Sequence, residues 1–347
     1  MGVTLKDIAR QVGVSVATVS RALGDSAEIS QDRRRQILEQ ARRLGYTPNG
    51  VAQQLRQSRH VPSHVVGVIV PELAHYYFST ILKGIEEVCS QRGYAMMVAQ
   101  SGEADDREAA ACRRLYEHRV CGIIVSQAKH STNFEHFAAL QQQGVPMVFY
   151  DRICTALDTP RVVVDDYQGA RNAVEHLVQT GCRRIAYYGS ERTLEIAKNR
   201  HMGYRDALLQ AGLAYDEELV RICDTYAMAE KLTPQLMALE QRPDAFFCIN
   251  DDTAIGTLNT CKKLGYDVPD DVAICGFTNG ERAVACDPML TTVEQRGEEV
   301  GRQAASILLD MVEKRLPQGH IERRIVKTRL VVRGTTRPPK KTMNYEL

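Results

Sequence analysis

The chain has 347 residues, of which 44% are hydrophobic and 25% charged, and a net charge of +1. This length excludes a single small domain and favours two or three units with full cores. The charge is unevenly spread: residues 1–60 carry ten Lys/Arg against five Asp/Glu, and the remaining 287 carry 34 against 38. A basic head on a mildly acidic body implies a polyanionic partner for the head alone. The ten cysteines are scattered from Cys89 to Cys286 without a C-x-x-C pair, and the nine histidines form no ligand cluster. Reduced thiols in a cytoplasmic protein are therefore expected, with no metal and no cofactor. No apolar h-region opens the sequence and no stretch approaches 18 apolar residues, so neither export nor membrane spanning is expected.

Three short helices are predicted first. Thr4 and Asp7 resemble a capping box, and Leu5, Ile8, Ala9 and Val12 then share one face. Gly13-Val14 turns the chain. Ser15 can cap a second helix with Val19, Ala22 and Leu23 inward, and Ser30 a third with Ile37, Ala41 and Leu44 inward. The second is the candidate recognition helix of a helix–turn–helix, its first turn entering a DNA major groove. Val16 and Ala17 are its small apolar leading residues, suited to thymine methyls, and Arg21 can reach a guanine edge or a phosphate. Thr4, Ser15, Thr18 and Ser20 are hydroxyl donors placed to hold the phosphate backbone.

Residues 48–57, PNGVAQQLRQ, predict a fourth helix, with Pro48 breaking the third and Asn49 capping or touching backbone phosphate. Val51, Ala52 and Leu55 share a face. So short a helix is marginal alone in water and is expected to form when paired with a twin on DNA. Leu55 would be an apolar wedge in the minor groove.

These motifs carry a family resemblance. TLKDIARQVGVSVATVSRAL followed by YTPNGVAQQL, within residues 3–57, resembles the LacI/GalR family of bacterial transcriptional regulators. In that family the residues matching Val16 and Ala17 discriminate operators, and the leucine matching Leu55 wedges the centre of a palindrome. The resemblance implies a dimeric regulator, a repressor, on double-stranded operator DNA, associated with the nucleoid.

From His64 onward short apolar runs alternate with amphipathic stretches of helical length. The runs are VVGVIV (65–70), YAMMVA (94–99), CGIIVS (121–126), PMVFY (146–150) and VVVD (162–165), then RIAYYG (184–189), AFFCIN (245–250), VAICGF (272–277) and IVKTRLVV (325–332). This alternation predicts two parallel sheets covered on both faces. The resemblance extends over nearly the whole chain and implies an all-α head on an α/β, two-lobed body of the periplasmic-binding-protein type 1. The expected units are a DNA-binding domain at 1–47, a hinge and linker at 48–60, an effector-binding and dimerisation body at 61–337, and a tail at 338–347.

Ligands in such sheets sit beyond the carboxyl ends of strands. By resemblance Tyr77, Phe78, Asp151, Arg200, Tyr226 (in a loop) and Asn250 match effector-pocket positions, with Ser101 and Ser126 as further strand-end candidates. Bland alternatives accompany them. Tyr77 and Phe78 could be core, Arg200 could sit in a buried ion pair, Asp165-Asp166 and Asp251-Asp252 read as helix caps, and Glu103, Asp105 and Asp106 as a solvated helix start. One departure from the family is Thr278, where many members carry Asp. With Arg152, Lys198 and Arg200 nearby in the pattern, it points to a sugar acid or sugar phosphate rather than a neutral sugar.

The tail TTRPPKKTMNYEL has two prolines and no leucine repeat, so a dimer rather than a coiled-coil tetramer is expected. The operator is expected to be a near-palindrome of roughly 14–20 base pairs with a flexible central step. Other readings are the same architecture controlled by a partner protein or acting without a small ligand, and a solute-binding protein, which the head and the missing signal peptide disfavour. No nucleophile elbow, Walker loop or dinucleotide glycine pattern is present, so no catalytic residue is expected.

Overall fold

The computed structural model describes residues 3–23, 28–46, 63–317 and 319–338. The chain divides into two compact units, one ending at Val61 and one beginning at Pro62. The hinge residues, Asn49 and Leu55 among them, lie outside the described residues, as do residues 339–347.

The head consists of α1 (Leu5–Val12), α2 (Val16–Leu23) and α3 (Gln31–Arg43). Ile8, Ala9, Val19, Ala22, Ile37 and Ala41 make its buried centre, at the spacings the apolar pattern requires. α1 ends at Gly13, whose φ of 69° is the left-handed conformation that lets the turn follow at once. Ser15 caps α2 by accepting from the Thr18 N–H at 3.1 Å. Ser30 occupies the cap position of α3 but makes no capping side-chain bond.

The body contains two six-stranded sheets. The first lobe holds β1 (Val65–Val70), β2 (Ala95–Gln100), β3 (Gly122–Val125), β4 (Met147–Tyr150), β5 (Arg161–Val164) and β11 (Arg323–Val326), in the order β11-β5-β4-β3-β1-β2. The second holds β6 (Ile185–Gly189), β7 (Val220–Ile222), β8 (Ala245–Cys248), β9 (Ala273–Thr278), β10 (Thr291–Glu294) and β12 (Arg329–Val331), in the order β12-β10-β9-β8-β6-β7. Every pairing is parallel except β10 with β12. The same winding thus occurs twice. In each sheet the order reverses beside the lobe's first strand, between β1 and β3 and between β6 and β8, which are the points where such sheets open a crevice.

Helices cover both faces. In the first lobe α4 (Tyr76–Gln91) and α12 (Gly297–Val312) lie on one face, and α5 (Asp105–Glu117) and α6 (Glu135–Gln142) on the other. α4 and α12 approach backbone to backbone: a Cβ at Gly84 or Gly301 would run into the carbonyls of Glu298 and Ile81. In the second lobe α7 (Asp166–Gln179) and α8 (Glu195–Gln210) pack on one face, with α9 (Tyr226–Met237) and α10 (Asp251–Lys263) on the other. A short α11 (Arg282–Ala285) follows β9. Strand runs of Val, Ile, Phe and Tyr, buried on both faces, account for the continuous apolar segments of the sequence. The chain passes between lobes three times: from β5 to α7, from β10 to α12, and from β11 to β12.

Candidate functional site

In the head, Ala17 and Arg21 are exposed on α2, while Val16 is half-buried and packs against the head core. The Arg21 guanidinium lies 3.5 Å from Glu28. The hydroxyls of Ser15 and Thr18 bond each other at 2.8 Å. Thr4 gives its hydroxyl and its N–H to the Asp7 carboxylate, at 2.6 and 2.9 Å, and these bonds hold Asp7 below the usual carboxylate range. Ser20 is half-buried on the same helix. The leading turn of α2 therefore presents a small apolar surface beside an arginine, framed by hydroxyls.

In the body, a cavity of about 290 Å³ lies between the lobes at the carboxyl ends of the central strands. It is fed by the segments after β1 (Glu72, His75), β3 (Lys129), β6 (Ser190, Leu194) and β8 (Ile249, Asn250), as the reversal of strand order dictates. Of the sequence candidates, Tyr77, Phe78, Asp151, Arg200, Asn250 and Thr278 line it. Tyr77 and Phe78 are also core, as the bland reading had it: both are 4% exposed and belong to the cluster under α4.

Three candidates fall elsewhere. Ser101 and Ser126 are fully buried, are not among the cavity-lining residues, and have hydroxyls without a hydrogen-bond partner among the described residues. Tyr226 is not in a loop: it opens α9, and its hydroxyl accepts from Asn259. The residues just before it, Asp224 and Thr225, line the cavity instead.

The charges of the cleft differ from the sequence reading. Arg200 is 4% exposed, gives Nε to Asp166 at 2.8 Å and a terminal N–H to the Ile249 carbonyl at 2.6 Å, and stacks 3.7 Å over Phe277. Asp166 is thus an ion-pair partner; Asp165 alone caps α7, through Gln168. Burial pushes the Asp166 carboxyl up to about 6 against the pull of Arg200.

Arg152 binds both oxygens of Glu103 at 2.6 Å, so Glu103 is a cleft residue rather than a solvated helix start. Lys198 pairs with Glu195 on the exposed face of α8 and does not line the cavity. Asp251 does not cap α10. Asn250 does, through Thr253, and Asp251 accepts the Gly280 N–H at 2.8 Å and the Thr292 hydroxyl at 2.5 Å. Burial pushes Asp251 up to about 6. Asp252 pairs with Arg282. The three cations the sequence grouped as anion receptors are each matched by a carboxylate already.

Several unsatisfied groups lie on the first-lobe wall. Among the described residues, buried polar atoms without a hydrogen-bond partner include His75 Nδ1, the Tyr77 hydroxyl, Asp151 Oδ1 and Arg152 Nε, all from residues lining the cavity. Burial raises Asp151, offset by Arg152, Arg200 and His75, and lowers His75. Asp151 (φ 57°) and Thr278 (φ 143°) both hold positive φ, a strain that persists where surrounding structure fixes it, as at ligand sites. The Thr278 hydroxyl is taken by Gln295. His75, Glu103, Lys129 and Asp224 were missed; their only signal in the sequence is position, two to five residues past a strand end.

Residues 4–49 match the model for bacterial regulatory proteins of the lacI family, and residues 174–336 that for a periplasmic binding protein-like domain. The HTH-type transcriptional repressor CytR of Escherichia coli (strain K12) is 31% identical over 96% of each chain. The chain belongs to the LacI family. Among solved structures, the lac repressor dimer bound to operator and the anti-inducer ONPF aligns with a TM-score of 0.83 at 25% identity, covering 96% of this chain and 99% of that one. A complex of the regulator CelR with cellobiose aligns at 0.71 and 28%, with the same coverage. As a LacI-family member the chain is a DNA-binding transcriptional regulator with a two-lobed α/β body, and its relatives are regulators rather than enzymes. No helix among the described residues is long and apolar enough to cross a membrane.

Proposed function

We propose that this LacI-family chain is a repressor that binds a palindromic operator as a dimer, has no catalytic activity, and is controlled by a neutral, hydroxyl-rich effector of the sugar class in the interlobe cleft. The carrying observation is the pairing of Arg152 and Arg200 with Glu103 and Asp166, beside the unpartnered Asp151 Oδ1. A bare, buried carboxylate oxygen welcomes hydroxyl donors and repels an anion. The Phe78 ring and the aliphatic Leu194, Ile196 and Ile249 supply apolar surface for a sugar face. The volume, at the low end for small-molecule sites, suits one or two rings. Relatives solved with cellobiose and with ONPF support this class of effector.

Val16, Ala17, Arg21 and Leu55 are assigned to base contacts, and Thr4, Ser15, Thr18, Ser20 and Asn49 to the phosphate backbone. Effector binding changes the lobe angle and, through the hinge residues, the pairing of the two heads on DNA. A coupling of about 1–3 kcal/mol changes operator affinity by about 5–150-fold.

Calorimetric titration with neutral sugars, sugar acids and sugar phosphates tests the effector class. Binding confined to the anions contradicts it. Leu55→Ala is expected to weaken operator binding far more than binding to random DNA, measured by fluorescence anisotropy; equal losses on both contradict the wedge.

A further inference from the structure

The lobes are tied together at the three strand crossings. Away from these, one described ion pair spans the cleft: Lys129 Nζ of the first lobe lies 2.5 Å from Asp224 Oδ2 of the second. Both side chains are more than four-fifths buried. Lys129 sits in the loop after β3, and Asp224 between β7 and α9. Both line the effector cavity, so the pair closes one of its sides.

Each end is moored. On the first lobe, Glu108 is fully buried on α5 and accepts from the Ala128 N–H at 2.5 Å, the Ser131 hydroxyl at 2.7 Å and His136 Nε2 at 3.2 Å. The Lys129 N–H itself goes to Glu103 at 2.7 Å, and Glu103 holds Arg152. On the second lobe, Asn250 gives its amide to the Asp224 carbonyl at 2.8 Å while its oxygen caps α10. Arg152, Glu103, Lys129, Asp224 and Asn250 form one unbroken polar chain from cleft wall to cleft wall. These bonds fix the backbone at both ends of the pair, and its burial limits the solvent screening that weakens surface ion pairs.

We propose that Lys129–Asp224 is a latch that holds the lobes closed without ligand, so that an effector must work against or alongside it to reset the lobe angle. The latch is strung on residues that also face the effector, Arg152 and Asn250. A ligand that draws the Asn250 amide away frees the Asp224 backbone, and one that leaves Asn250 in place keeps the clasp. This gives two effectors of the same class opposite effects on one cleft. The consequence for control rests on the effector reading above; the latch itself is tested without effector or DNA.

The experiment is single-molecule energy transfer on the full chain. Dyes are carried by ketone-bearing amino acids at exposed Arg113 on α5 and Lys231 on α9, leaving the native cysteines untouched. Wild type is expected to populate mainly the short distance and, the pair being largely buried, to shift only modestly toward the long one as salt rises. Lys129→Met and Asp224→Asn are each expected to lower the short-to-long ratio about tenfold and to remove the salt dependence. The exchange Lys129→Asp with Asp224→Lys is expected to restore most of it. Circular dichroism on both single variants separates opening from unfolding. Single variants with the wild-type distance distribution overturn the latch, and so does an exchange variant as open as either single one. Neither result bears on which ligand the cleft takes.

Discussion

The two walls of the cleft share one winding and differ in how their polar groups are spent. On the second-lobe wall Arg200, Asn250 and Thr278 are bonded within the protein, and Asp251 behind them is bonded too. On the first-lobe wall His75, Tyr77, Asp151 and Arg152 each keep a buried atom without a partner. Pre-bonded groups hold a shape but have little bonding left to offer, whereas bare buried groups cost stability until a ligand meets them. For the effector proposed above, this would make the second lobe the source of rigidity and the first the source of affinity.

Four measurements would break or sharpen that contrast. Arg200→Ala leaves Asp166 buried and unpaired and is expected to cost about 3–5 kcal/mol of urea stability. A cost below about 1 kcal/mol would show that the second wall is not prebuilt.

The next effect is on pH dependence. Asp251, raised to about 6 from an ordinary 3.8, binds its proton more tightly when folded. Its contribution is therefore fully present below about pH 4 and is lost as pH rises through 6. Asp251→Asn should gain up to about 3 kcal/mol on wild type between those limits. Parallel stability–pH curves would contradict the burial.

Asp151→Asn, on the first wall, is expected to reduce affinity for the neutral ligand found by titration about 10–100-fold while moving stability by less than about 1 kcal/mol. A large stability loss with intact binding would reverse the roles of the walls. Tyr77→Phe removes a hydroxyl that has no protein partner. It should weaken the same ligand about 2–10-fold with an unchanged urea midpoint; unchanged binding would place Tyr77 in the core alone.

Much of this architecture was legible in the sequence because strands buried on both faces read as continuous apolar runs. β7 and β10 escaped because VRI is a three-residue edge strand interrupted by an arginine and TTVE buries threonines, neither of which reads as an apolar run. The run 325–332 looked like one strand but is parts of two, β11 and β12, which Lys327-Thr328 separate into different sheets.

Within the site, strand ends located the right segments but not always the right side chains. Ser101 and Ser126 follow β2 and β3 as expected, yet they are fully buried and do not line the cavity. Tyr226 was displaced toward Asn259 because the helix begins with it, leaving Thr225 and Asp224 at the cavity. The pairing of the three grouped cations was hidden for a different reason. A count of nearby cations cannot show that Glu103 and Asp166, distant in sequence, reach them first.

The crossing between β11 and β12 bears on the order of synthesis. Each strand is an edge, and each completes a sheet whose other strands were made far earlier. Among the described residues, the head core is drawn from residues up to Tyr46. On the ribosome, the part that grips the chromosome can therefore assemble long before either half of its sensor has its last rung. Until residues 323–331 emerge, β5 and β10 present open ladders to any passing strand. A nascent or prematurely terminated copy would carry a folded head on unfinished, aggregation-prone sheets.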